Sequence, residues 1–432
     1  MKSIVIKNAT LANGSVTDVL IEQGVVQQLG GSLKGDRVIK GDGLMLLAGF
    51  VDLHTHLREP GFEASETVLT GSKAAAVGGY TAIHAMANTN PVADNAAVVE
   101  QVHRLGVDAG YVEVRPIGAV TQGLEGNQLA DLGLMNKSKA GVTVFSDDGK
   151  CVSDALVMRR ALEYVKSFGG VIAQHAQEPS LTKNSTMNEG AKALKLGLTG
   201  WPAVAEAGII ARDVLLAEAT GSRLHICHLS TAEAVDVVRW AKKRGINVTA
   251  EVTPHHLLLT EDAIGEYNTV YKVNPPLRTN TDVEAVRAAV ADGTIDIVAT
   301  DHAPHAAESK DCEWGEAAFG MTGLETAAAV VYTTLVKTGL IDWEKFQFIM
   351  STKPAEIGGI AGHGRPIEAG SPANLVLFDP KHEVIVSGNT HSKSQNSPYI
   401  GMTLTGKVTH TIYNGRLTVT DGRLVELEGN NA

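Results

Sequence analysis

Eight apolar runs, at residues 49–54, 80–86, 112–118, 141–146, 170–175, 222–228, 246–252 and 294–300, alternate with stretches whose apolar residues recur at helical spacing. Strand and helix in alternation specify a parallel sheet covered by helices. Eight is the number of strands that closes a (β/α) barrel. The intervals of about 25–35 residues suit one strand and one helix each, with longer insertions after the fifth, seventh and eighth strands. The intervening "VSDALVMRRALEYVKSF" has helical periodicity, and "TAEAVDVVRWAKKRG" opens on a Thr cap position and closes on Gly. A doubly wound open sheet would want a glycine-rich phosphate loop after the first strand, and "DLHTHLREPG" is not one. Both chain ends read differently, as short strands separated by turn residues. The expected architecture is an α/β chain with a (β/α)8 barrel over residues 49–361 and a small composite β-sandwich domain from residues 1–48 and 362–432.

Composition narrows the function classes. The formal charge of −11 argues against nucleic acid or an anionic membrane as main partner, since both need an electropositive surface. No apolar stretch reaches the ~18 residues that span a bilayer, and "MKSIVIKNATLANG" lacks the pattern of a signal peptide. Cys151, Cys227 and Cys312 are odd in number and show no CxxC spacing, so a reducing cytoplasm is the expected location. A small-molecule substrate is the expected partner.

The chemistry gathers at strand C-termini, where barrel active sites are built. In "VDLHTHLREPG", alternation puts Asp52, His54 and His56 on one face and Val51, Leu53 and Thr55 on the other. The fifth strand ends on His175 and the sixth on His228, and the eighth carries Asp301 on the face of Ile297 and Ala299. By the same parity His225 faces away from His228 and is expected to pack against a helix. A lone histidine is usually a hydrogen-bonded core residue. Four histidines and an aspartate converging on one mouth point to a metal site. Imidazole and carboxylate without thiolate suit Zn²⁺, with Mn²⁺, Fe²⁺ and Co²⁺ as substitutes. Such an ion lowers the pKa of water toward ~7, which points to hydrolysis, with Asp301 taking and returning the proton. Arg58, two residues beyond His56, places a guanidinium where it can pair with a substrate carboxylate. Asn88, Asn274 and His305 stand just past the second, seventh and eighth strands, although Asn274 reads equally well as a turn residue. Residues 305–323 have little periodicity and are expected to cover the substrate as a lid. Within them Cys312 reads as a passive loop residue, and His255 and His256 read as caps or as partners of ligands.

Taken together, "VDLHTHLREPG", "NTNP", "FSDDG", "EVTPHHLLL", "VNPPLR", "TDHAPH" and "FGMTGLET" resemble the type I dihydroorotases of the amidohydrolase superfamily, from about Gly49 to Glu325 and on into "GSPANLVLFDP". The resemblance implies a (β/α) barrel with a composite β domain and reversible opening of the cyclic amide of (S)-dihydroorotate to N-carbamoyl-L-aspartate in pyrimidine (UMP) synthesis. It implies hydroxide on the metal as nucleophile. It further implies metal ligation by His54, His56, His175, His228 and Asp301, and substrate contacts from His56, Arg58, Asn88, Asn274, His305 and the Phe319–Gly320 backbone. Hydantoinases, dihydropyrimidinases and allantoinases are the neighbouring readings. Allantoinases usually place Asn where Arg58 stands, so "HLREPG" favours dihydroorotase. The family also offers a homodimer, and association with aspartate transcarbamoylase, of which some members are inactive partners that have lost ligands. This chain keeps the full set. It departs from the usual pattern at His84, Ala87 and Gln177, where a small or aliphatic residue, Pro and an acid are respectively more common.

One stretch is left open by parity alone. "FSDDGK", residues 145–150, ends the fourth strand in a turn, and Asp147, Asp148 and Lys150 compete as the anionic bridge that a two-metal site needs there. Spacing in the resembling family favours Asp148, 27 residues before His175, as the bridge between two Zn²⁺ ions, with Asp147 as a neighbouring hydrogen-bond acceptor. Related hydrolases use a carboxylated lysine at this strand end.

Overall fold

The computed structural model describes residues 2–427. Parallel strands Phe50–Thr55, Tyr80–Ala85, Glu113–Pro116, Val144–Phe145, Val171–Gln174, Arg223–Ile226, Val248–Val252 and Ile297–Val298 follow one another around a barrel. Two single bridges, Gly118 with Phe145 and Thr55 with His302, join the remaining seams and close the ring. Each observed strand lies within one residue of, or inside, its expected run.

The helices between them begin where side chains satisfy orphan backbone N–H groups. Asp154 accepts from Leu156 and Val157 at the start of Ala155–Lys166, whose buried Met158, Ala161, Leu162 and Val165 form the core stripe legible in the sequence. Thr231 caps Ala232–Lys243 in the same way, and Thr279 with Asp282 makes a reciprocal capping box on Asn280–Asp292.

Strand alternation separates two cores. Phe50, Ile172, Leu224, Ile226 and Val298 pack with the helices, whereas Val51, Leu53, Val171, Ala173, Cys227, Ile297 and Ala299 belong to small clusters filling the barrel. The helix Lys353–Gly358 closes the end opposite the strand C-termini. Its Ala355 and Ile357, with Ile360 beyond it, complete the inner clusters, and its carbonyls at Ile357 and Gly358 accept from Arg223 and Thr143. Gly358 abuts His84, where a Cβ would stand 2.7 Å from the imidazole.

Both chain ends build one nine-stranded sheet among the described residues. Met45–Ala48 pairs in parallel with Ile4–Leu11 and antiparallel with Leu375–Ile385, so N- and C-terminal segments share a ladder. Alternation along Leu375–Phe378 splits its faces. Leu375 and Leu377 join Ile6, Val19, Ile21 and Leu46 in a core of the sheet's own, while Val376 and Phe378 join the barrel core, with Phe378 against Tyr332, Trp343 and Phe346. Met1 and residues 428–432 of the expected β-rich ends lie outside the described residues.

His84, inside the barrel, places Nδ1 on the Asp52 carbonyl at 3.1 Å and leaves Nε2 buried without a partner. Burial pushes its pKa from 6.5 down to about 4. Between these values the unfolded chain binds a proton that the folded chain refuses, so stability falls as pH drops through the window. At about 1.4 kcal/mol per unit the loss approaches roughly 3 kcal/mol. A His84→Asn variant is expected to lack this share of the acid sensitivity, read as the difference in urea unfolding free energy between neutral pH and pH near 4.

Candidate active site

The strand C-termini bring His54, His56, Asp148, His175, His228 and Asp301 together, each buried. Asp148 is the hub. Its Oδ1 lies 3.3 Å from His54 Nε2, 3.2 Å from His175 Nδ1 and 3.3 Å from His228 Nε2, and its Oδ2 lies 3.3 Å from His56 Nε2. Asp301 Oδ1 stands 3.0 Å from His56 Nε2 and 3.4 Å from His54 Nε2. His175 Nδ1 and His228 Nε2 are 2.8 Å apart, too close for two ring lone pairs unless a proton or a cation lies between them.

Local backbone irregularity makes this convergence. Strict alternation would turn His54 and His56 to the helix side with Phe50. The pairing register of the first strand breaks between Asp52 and Thr55, and both rings enter the mouth. The buried Asp52 carboxylate accepts from the backbone N–H of His54 at 3.0 Å and of Thr300 at 3.1 Å, tying the first strand to the eighth. Burial pushes its pKa up to about 7. His228 and Asp301 both have positive φ, +32° and +46°, so each turns its side chain at a left-handed residue rather than by strand parity. Parity therefore misplaced His225. Leu224 and Ile226 face the helices, and His225 sits on the inner side with Nε2 on Glu251 Oε2 at 3.0 Å and Nδ1 on Thr249 Oγ1 at 2.8 Å.

The electrostatics call for positive charge at the centre. Burial opposes ionisation of Asp148, yet His54, His175 and His228 outweigh it and hold the carboxyl well below its usual range. Asp301 is likewise lowered, to about 2, by His54, His56 and His228 against the same burial. His54 is buried too, and Asp148, Glu251 and Asp301 raise it well above 6.5. The donor set fits a metal on geometry as well. His54, His56 and Asp148 form one group, and Asp148, His175 and His228 another, with ligand atoms in each within 4.8 Å of one another. His54 Nε2 is buried and makes no hydrogen bond, although its Nδ1 pairs with Glu251 at 2.6 Å. Four imidazoles and two carboxylates without thiolate suit a borderline divalent ion.

The "FSDDGK" residues divide their roles. Asp147 turns away from the cluster and accepts from the backbone N–H of Val120 at 2.8 Å and of Thr121 at 3.0 Å, and from the Thr121 hydroxyl. Lys150 is exposed.

Polar groups surround the cluster on one side. Asn88 Oδ1 meets His56 Nδ1 at 3.0 Å. Arg58, at φ +62°, donates from Nε to the Pro304 carbonyl at 3.1 Å and places Nη2 3.3 Å from His305 Nε2. His305 Nε2 lies 2.7 Å from the Phe319 carbonyl, which puts its proton there and leaves no lone pair for Arg58. Burial and the adjacent guanidinium push His305 down to about 3, so the ring is neutral. Asn274 Nδ2 donates to Gln177 Oε1 at 3.1 Å, and the same oxygen meets His175 Nε2 at 2.8 Å. The unusual Gln177 thus touches both a cluster histidine and Asn274. The backbone N–H of Gly320 donates to the Lys272 carbonyl at 3.0 Å, so in this conformation the Phe319–Gly320 segment is bonded within the protein.

Outside the cluster, His256 bonds Thr253 Oγ1 at 2.8 Å and the Pro276 carbonyl at 3.2 Å at the start of the helix Pro254–Leu258. His255 is buried beside it, pushed down to about 4 by burial. Neither belongs to the two groups, and Cys312 is exposed.

Four contributors were missed by sequence reasoning. Glu251 was visible as an acid inside an apolar strand, a signal that could have found it. Asn396, from the C-terminal segment, accepts from His305 N–H at 3.1 Å and donates to the carbonyls of Ala303 and Gly320 at 3.0 and 3.2 Å. Lys310 fills a cage of carbonyls from Thr269, Lys272 and Ala318 at 3.0, 2.9 and 2.7 Å, while Lys272 donates to Trp314 and Gly315 and lies over the Phe319 ring at 4.5 Å. The segment expected to cover the substrate as a lid is clasped by two lysines.

With the geometry in view, the comparisons with known proteins decide the family. A family model described as "Dihydro-orotase-like" matches residues 43–234. A curated "Dihydroorotase" of Streptomyces coelicolor is 63% identical over 98% of this chain and 100% of its own length. The chain belongs to the dihydroorotase family. Another protein named dihydroorotase, from Mycobacterium tuberculosis, is 51% identical over 95% of this chain and 96% of its own. Among solved structures, a dihydropyrimidinase from Brevibacillus agri superposes with a TM-score of 0.84 at 25% identity, covering 98% of this chain and 96% of that one. The barrel is thus common to hydantoinase-type enzymes, whereas the high identities lie with dihydroorotases.

A Lys310→Met variant leaves three carbonyls without their donor. It is expected to cost about 1–3 kcal/mol and to open residues 307–318 to limited proteolysis, with cleavage mapped by mass spectrometry.

Proposed function

We propose that this dihydroorotase-family chain catalyses the reversible hydrolysis of (S)-dihydroorotate to N-carbamoyl-L-aspartate in pyrimidine synthesis. The single observation that carries the reading is the six-residue cluster about Asp148 with Arg58 beside it, in a chain 63% identical to a named dihydroorotase. Two Zn²⁺ ions would be held by His54, His56, His175, His228 and Asp301, with Asp148 shared between the two groups of donors. When bound, such ions lower the pKa of water to about 7 and polarise an amide carbonyl.

The chain's own residues do the rest. Asp301 Oδ1, close to both His54 and His56, takes a proton from the attacking water as the oxygen–carbon bond forms. As the ring C–N bond breaks, that proton passes to the leaving nitrogen, so one water is consumed and no further reactant is required. Arg58 pairs with the substrate carboxylate, its Nη2 lying beside a neutral His305 that does not compete for it. Asn88, Asn274, His305 and the Phe319–Gly320 backbone hold the ring amides, and His56 faces both metal and substrate. The Gly320 N–H becomes available by exchange with its Lys272 carbonyl partner.

The same reading divides the chain into a barrel at 49–361 and a composite β-sandwich domain from 1–48 and 362–432, and places the protein in the cytoplasm, as a homodimer able to associate with aspartate transcarbamoylase. No described helix is long and apolar enough to cross a membrane.

Purified protein is expected to hydrolyse dihydroorotate, to lose the activity on quantitative chelation and to regain it with Zn²⁺. Arg58→Met should lower kcat/KM by roughly 10- to 100-fold, mainly through KM. Full turnover after metal removal would sink the metal-centre reading, and faster turnover of dihydrouracil than of dihydroorotate would favour a hydantoinase-type substrate.

A further inference from the structure

Glu251 lies on the seventh strand behind the cluster, 1% exposed, with both carboxylate oxygens engaged. Oε1 receives His54 Nδ1 at 2.6 Å and the backbone N–H of His228 at 3.1 Å. Oε2 receives His225 Nε2 at 3.0 Å, and His225 Nδ1 in turn meets Thr249 Oγ1 at 2.8 Å. We infer that Glu251 is a positioning residue for the metal centre, the common anchor that orients the His54 and His228 arms, with His225 and Thr249 fixing its own orientation. The inference rests on reading the Asp148 cluster as a metal site.

The protons facing Glu251 are fixed by its two oxygens. A carboxylate facing a ring nitrogen at 2.6 Å needs a proton between them, so His54 carries hydrogen on Nδ1, and with a metal bound its orphaned Nε2 would supply the lone pair that holds it. His225 must likewise donate from Nε2, and its Nδ1 is held by the Thr249 hydroxyl, which also reaches the Leu224 carbonyl at 3.5 Å. A chain of hydrogen bonds thus runs from Thr249 through His225 to Oε2, while Oε1 sets the tautomer of His54. The same oxygen holds the N–H of His228, whose φ of +32° would otherwise be disfavoured, so the left-handed turn that presents the His228 ring is held by Glu251 as well. One carboxylate therefore supports one ligand from each of the two donor groups that share Asp148.

A glutamine at 251 keeps the shape and spoils the pattern. Its amide nitrogen must face either His54 Nδ1–H or His225 Nε2–H, donor against donor. Full-chain, Zn²⁺-loaded protein competed against a chromogenic chelator reads the effect on metal binding directly. Glu251→Gln is expected to weaken Zn²⁺ binding about 10- to 100-fold. Thr249→Val, nearly isosteric and outside the cluster, is expected to weaken it about 2- to 10-fold by freeing the His225 tautomer. Cobalt-loaded Glu251→Gln should show an altered visible absorption spectrum. A merely structural role would lower the melting temperature of the metal-free protein and leave metal release and spectrum unchanged. Should Glu251→Gln fail to fold, Thr249→Val and His225→Gln decide. Zn²⁺ affinities within two-fold of wild type in the folded variants, with an unchanged cobalt spectrum, overturn the inference alone. Failure of the wild-type chain to retain Zn²⁺ overturns the metal-centre reading and this inference with it.

Discussion

Carboxylates buried at the mouth of a barrel cannot stay ionised without positive charge or donors around them. Asp148, Asp301, Glu251 and Asp52 are all 4% exposed or less, and each has an answer in the surrounding structure. Asp148 and Asp301 are answered by imidazoles and Glu251 by two histidines and a backbone N–H, whereas Asp52 has only the N–H groups of His54 and Thr300 and is pushed up to about 7. The breaks in strand geometry occur where these demands fall. The first strand slips register between Asp52 and Thr55, and the sixth and eighth end on left-handed residues at His228 and Asp301.

This explains what was legible. Existence and order of the eight strands could be read from apolar runs and helix caps, since both are local. His175 could be placed by parity because Val171 and Ala173 lead straight to it on the inner face. His225 could not, because parity was counted back from His228, a residue whose left-handed backbone cancels the count. The choice between Asp147 and Asp148 was equally beyond local pattern, the fourth strand having only two paired residues before the chain turns. What separates them is a distant loop, since Val120 and Thr121 offer donors that capture Asp147 and leave Asp148 to the histidines.

Partners remote in sequence were the least legible. Asn396 sits in a serine-rich stretch with no periodicity, yet it holds both His305 and Gly320. Gln177 stands where an acid is more common, and its amide bridges His175 and Asn274 through a single oxygen while Nε2 donates to the Thr182 hydroxyl. The lysine clasp had no signature either, because a buried lysine becomes intelligible only once three carbonyls are seen around it.

The shared sheet carries a consequence in time. Met45–Ala48 leads directly into the first barrel strand, and its antiparallel neighbour Leu375–Ile385 is made only after the whole barrel. During synthesis, which proceeds from the N-terminus, Phe378 is absent while Tyr332, Trp343 and Phe346 emerge, so their faces await it. Asn396, which steadies the loop beside Arg58, comes later still. A ribosome-bound barrel therefore has an unsealed flank and an unbraced mouth, and the last segment to appear completes both.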